Sequence, residues 1–123
     1  MPSIFHIANP NSLSILLTLG SFDADSLATE GFIHCSTHEE VIATANRRFK
    51  ESANLLLWEL DQNKIQAPVV FENTSGGGVL YPHIYGSIPL SALVRVYHFN
   101  QDASGNFLFP TANDEIDFTT DKV

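Results

Sequence analysis

Gly31-Phe32-Ile33-His34-Cys35-Ser36-Thr37-His38-Glu39-Glu40 changes its grammar halfway through. Up to Ser36 it alternates like a strand, with Phe32, His34 and Ser36 on one face and Ile33 and Cys35 on the other. Beyond it, Ser36 with Glu39, or Thr37 with Glu40, fits a capping box. The helix that follows sets Val41, Ala45 and Phe49 in one row with Ile42 beside them. Arg47, Arg48 and Lys50 close its last turn, where cations offset the helix dipole.

Outward from this unit the chain is a run of short strands. Ile4-Phe5-His6-Ile7 reads as the first strand, with Ile4 and His6 on one face. Asn9-Pro10-Asn11-Ser12 breaks it, and Asn11 or Ser12 is placed to cap a helix over Leu13–Leu19 that ends at Gly20. Ser21–Ser26 reads as a polar loop. Asn54–Leu60 is apolar almost throughout, as a central strand covered on both faces is. Pro68–Asn73, Tyr81–Gly86 and Val94–Phe99 complete the strands, with His83 and Tyr85 on one face. Ile88–Leu93 allows one helical turn, and the acidic end from Asn113 is expected to fray. The result is an α+β fold with a mixed or mostly antiparallel β-sheet and two N-terminal helices. We read one domain over residues 1–112 and an acidic tail over 113–123.

Composition narrows the function. At 123 residues, with 44% hydrophobic and 16% charged, the chain is long and apolar enough for one core. One cysteine excludes an internal disulfide and a cysteine zinc cage. A net charge of −8 disfavours general binding to nucleic acid. The start of the chain has no basic n-region, and the apolar runs are too short for a bilayer. We therefore expect a soluble cytoplasmic protein whose partner is a small molecule.

Chemistry concentrates on the histidines. His6, His34 and His83 sit on separate extended segments, with Ser36 beside His34 and Tyr85 beside His83. Polar side chains on strands that otherwise build a core point to one shared cleft. Glu30 and Glu72 are the carboxylates placed to orient an imidazole or to act as acid or base. His34 and His38 are four apart, but the strand ends between them, so no metal site is expected. Cys35 faces the core and reads as inert.

Ile4-Phe5-His6-Ile7, Glu30-Gly31-Phe32-Ile33-His34-Cys35-Ser36 and Tyr81-Pro82-His83-Ile84-Tyr85-Gly86 resemble, in order, the bacterial family called domain of unknown function 952. The resemblance runs from about residue 3 to about residue 110. It departs in the first helix, where family members usually carry a Trp and this chain has Leu and Ile. The resemblance implies a fold similar to the ADP-ribosyltransferase class, with an NAD cleft between the halves of a split sheet. His6 then looks like the first-strand residue that binds the NAD ribose. Ser36 resembles the Ser/Thr position of that fold, and Tyr85 is placed to stack on a nicotinamide or adenine ring. Three functions follow. One is an ADP-ribosyltransferase-like enzyme, or a degenerate one, that binds NAD or a related ribonucleotide. The second is a non-catalytic small-ligand-binding module. The third is a hydrolase or isomerase with His34 or His83 as general base and a carboxylate such as Glu72 behind it.

Overall fold

The computed structural model describes residues 2–120. Nine short strands and three helices are found there: β1 (Ser3–Ala8), α1 (Pro10–Leu19), β2 (Ser21–Phe22), α2 (Asp25–Glu30), β3 (Ile33–His34), α3 (Val41–Arg48), β4 (Leu55–Asp61), β5 (Val69–Glu72), β6 (Tyr81–Ile84), β7 (Ile88–Pro89), β8 (Leu93–Phe99) and β9 (Glu115–Ile116). They form three sheets, ordered β1-β4-β8-β9, β2-β7 and β3-β6-β5. The class is α+β, and every strand pair among the described residues is antiparallel, so of the two expected sheets, mixed or mostly antiparallel, the second holds. No helix of the described residues is long and apolar enough to cross a membrane.

The sequence of β4 explains the layering. Leu56, Trp58 and Leu60 enter one core with Ile4, Ala8, Leu13 and Leu16, and also with Ile33 and Ile84 of the smaller sheet. Leu57 points the other way, into a second core with Phe5, Val41, Ala45, Phe99 and Phe107. A strand flanked by β1 and β8 and covered on both faces needs an apolar run rather than alternation. The row Val41 and Ala45 seats α3 on the second core, as its spacing requires.

Local chemistry departs from the sequence reading at five places. The cap of α1 is Asn9, whose Oδ1 accepts from Ser12 N at 2.9 Å, rather than Asn11 or Ser12. Pro10 fits the first turn because it has no N–H to leave unbonded. The expected polar loop after Gly20 holds both β2 and α2, which raises the helix count from two to three. The capping box does not form: Glu40 stands at the cap of α3 with no side-chain bond. Ser36 is engaged elsewhere, its backbone exchanging two 2.8 Å bonds with Phe5. In the Ile88–Leu93 segment, Ile88–Pro89 pairs with β2 before a short 3-10 turn at Leu90–Ala92. Finally, the end does not fray over 113–120. Glu115 and Ile116 pair with β8, and Ile116 and Phe118 pack on the first core. Residues 121–123 of the expected tail lie outside the described residues.

Candidate functional site

The reciprocal Phe5–Ser36 pair is where the edge of the large sheet meets the chain leaving β3. A cleft of about 750 Å3 opens there, within the range of ligand pockets. His6, His34, Ser36 and His83, from three distant segments, all line it.

His6 is the most constrained of them. It is buried, lies directly opposite Trp58 across the β1–β4 pair, and has its ring 5.3 Å from the indole. Its Nδ1 lies 2.8 Å from the His34 carbonyl oxygen. A carbonyl only accepts, so His6 donates from Nδ1 and the neutral ring carries its lone pair on Nε2. Burial pushes the His6 pKa down to about 4; the hydrogen bond to the His34 carbonyl opposes this and the charge of His34 adds to it. His6 is thus a neutral imidazole whose Nε2 bonds to no described residue.

His83 is held differently. Its ring stacks on Phe32 with centroids 3.9 Å apart and planes 15° from parallel. Its Nδ1 donates to Glu72 Oε2 at 2.8 Å. Tyr85 donates its hydroxyl to the same carboxylate oxygen. These two donors, Tyr85 first, hold the Glu72 carboxyl below the usual range, and the Tyr85 phenol is pushed up in return. A carboxylate behind Nδ1 leaves Nε2 of a neutral His83 as the basic nitrogen, which is how a general base is oriented.

His34 pairs with His83 across β3 and β6, their rings 5.4 Å apart. Its Nε2 donates to the Glu30 carboxylate at 3.1 and 3.2 Å. Both carboxylates singled out from the sequence therefore orient an imidazole, Glu30 on His34 and Glu72 on His83. Ser36 is buried, and its hydroxyl bonds to no described residue.

Two placements differ from the sequence reading. Glu72 and Tyr85 stand behind His83 rather than in the lining of the cleft, with the Tyr85 hydroxyl on the Glu72 carboxylate. The lining also includes Thr44, Arg47 and Arg48 of α3, the Asn73–Ser75 loop and Tyr81. Read from sequence, Arg47 and Arg48 only complete a helix end. The missed signal is their spacing with Thr44, which puts all three on one side of α3.

Cys35 lies among the apolar residues of the first core, and burial pushes its thiol well above the usual range. Thiolate is the reactive species. Native Cys35 is therefore expected to react with a disulfide reagent at least about a hundredfold more slowly than in the unfolded chain. Equal rates would show that the thiol is exposed.

The family described as a protein of unknown function, DUF952, matches residues 7–96. Among curated proteins, none matches. The fold is similar to the crystal structure of CC0527 from Caulobacter crescentus, with a TM-score of 0.77 and 27% identity over 86% of this chain and 93% of that one. It is also similar to the solution structure of CC0527, with a TM-score of 0.74 and 27% identity over 86% of this chain and 91% of that one.

Proposed function

The chain belongs to the DUF952 family, whose description assigns no activity, and from that premise we propose that its cleft binds NAD, ADP-ribose or a related ribonucleotide. The observation that carries this reading is His6. A buried, neutral imidazole on the first strand, tied through Nδ1 to the His34 carbonyl, presents Nε2 as a fixed acceptor. A ribose hydroxyl is the donor that suits it, and the unbonded Ser36 hydroxyl lines the same cleft. A cleft where two antiparallel sheets meet supports the ADP-ribosyltransferase-like reading of the fold.

The Glu72–His83 pair favours catalysis over passive binding. A basic Nε2, fixed by a carboxylate and lining the cleft, is placed to take a proton from a hydroxyl or water attacking the bound ligand. That is also the machinery of the hydrolase or isomerase reading. A binding module would share the pocket without turnover.

Melting temperature tests the ligand class. At about a hundred times its dissociation constant a ligand adds roughly 2.7 kcal/mol to the native state. For a domain of this size that is a rise of several degrees. NAD or ADP-ribose is expected to give it. His6→Ala should abolish the rise, and His98→Ala, an exposed change on β8 outside the cleft, should keep it. No shift with NAD, ADP-ribose or AMP at millimolar concentration would overturn the reading.

A further inference from the structure

We propose that Thr44, Arg47 and Arg48 form a phosphate-holding wall of this cleft, so that its ligand is a phosphate ester or diphosphate rather than a neutral riboside. The proposal rests on the ribonucleotide reading and deepens it. Residues spaced three and four apart fall on one side of a helix, and Thr44, Arg47 and Arg48 have that spacing on α3. The neighbouring side, Val41 and Ala45, is buried in the second core and fixes the helix about its axis. All three residues of the first set line the cleft.

Three observations separate this wall from an ordinary helix end. The chain carries 14 acidic residues against 6 basic ones, yet neither Arg47 nor Arg48 pairs with a carboxylate among the described residues. Arg95, by contrast, meets Glu59 at 3.0 Å. Arg47 instead donates from Nη2 to the Tyr81 hydroxyl at 3.3 Å, across to β6, which holds the guanidinium at the cleft. Thr44 Oγ1 is buried and lacks any partner, although its residue lines the cleft. Buried hydroxyls are rarely left unbonded, and a small rotation of this side chain towards the cleft would give the hydroxyl a ligand oxygen as its partner.

The charge arithmetic fits an anion at this place. The charged residues of the lining are Asp23 and Asp25 against Arg47 and Arg48, so the cleft is balanced in a chain of net charge −8. Asp23 already accepts from Ser87. Guanidinium groups without carboxylate partners are well suited to phosphate, which takes two parallel N–H bonds from one Arg.

The test measures melting temperature and calorimetric affinity with two probes, ADP-ribose and inorganic pyrophosphate. The proteins are the wild type, the double variant Arg47→Gln/Arg48→Gln and His6→Ala. Both arginines are exposed, so the double variant without ligand should melt close to the wild type. Pyrophosphate is expected to stabilise the wild type and His6→Ala but not the double variant. ADP-ribose should bind the double variant at least about tenfold more weakly than the wild type. Unchanged ADP-ribose affinity in the double variant would overturn the wall and leave the ribonucleotide reading standing. Stabilisation by pyrophosphate but not by ADP-ribose would keep the wall and overturn the ribonucleotide reading. Failure of both probes would overturn both.

Discussion

Trp58→Ala is expected to cost about 3–5 kcal/mol of unfolding free energy, the usual range for emptying an indole site in a core. Trp58 is fully buried on the central strand, with Phe22 edge-on at 5.4 Å and His6 at 5.3 Å. His6 and Phe22 stand between it and the cleft and are themselves buried, so most of the cavity should remain. Against a typical stability of about 5–15 kcal/mol, the variant would be marginal at ambient temperature. Trp58→Phe is the informative companion. It keeps most of the packing and also removes an Nε1–H that is buried without an acceptor. Relieving such a group offsets part of the lost volume, so Phe should cost much less than Ala. Denaturant midpoints at constant slope measure both. A cost under about 1 kcal/mol for Ala would mean that Trp58 is not the support beneath His6.

Acidification from pH 7 to pH 4 should remove about 3 kcal/mol through His6 alone. The folded imidazole has its pKa lowered to about 4 by burial, whereas in the unfolded chain it titrates near 6.5. Between those values the unfolded chain holds a proton that the folded chain refuses, so stability rises with pH across this window. It is fully present above about 6.5 and lost progressively as pH falls towards 4, at about 1.4 kcal/mol for each unit of pKa difference. Glu72 acts in the same direction at lower pH. Its carboxyl is held below the ordinary range, so its contribution disappears as it protonates. The stability of His6→Gln should therefore change less with pH between 6.5 and 4 than that of the wild type. Equal slopes would mean that His6 is not buried neutral.

Strand periodicity made most of this architecture legible. Alternation placed Ile4 and His6 on one face of β1, and the same logic set Phe32, His34 and Ser36 together before any pairing was known. What alternation cannot supply is pairing across the sheet. That His34 lies opposite His83, and that Glu72 reaches His83 from the neighbouring strand, follow from the β3-β6-β5 register. Tyr85 shows the same limit: it was on the right face, but its hydroxyl is taken by Glu72. Short elements held by distant partners were the least legible. β2 exists because Ile88–Pro89 comes alongside, and β9 because β8 offers a free edge. The Ser36/Glu39 and Thr37/Glu40 patterns satisfied a capping rule locally, yet a tertiary bridge from Ser36 to Phe5 took precedence. Arg47 and Arg48 satisfied the helix-dipole rule, and their i+3 and i+4 spacing from Thr44 was the one local sign that they share a side of α3; that this side meets the cleft follows only from how α3 packs.

The most direct test of the account is the nitrogen-15 spectrum of the histidine side chains near pH 6, recorded with and without ADP-ribose. His6 should be neutral with its proton on Nδ1, as donation to the His34 carbonyl requires, and its Nε2 resonance should shift when the ligand is added. A doubly protonated His6 at that pH, the opposite tautomer, or an Nε2 resonance unmoved by saturating ligand would contradict the claim that this imidazole is the fixed acceptor of the cleft.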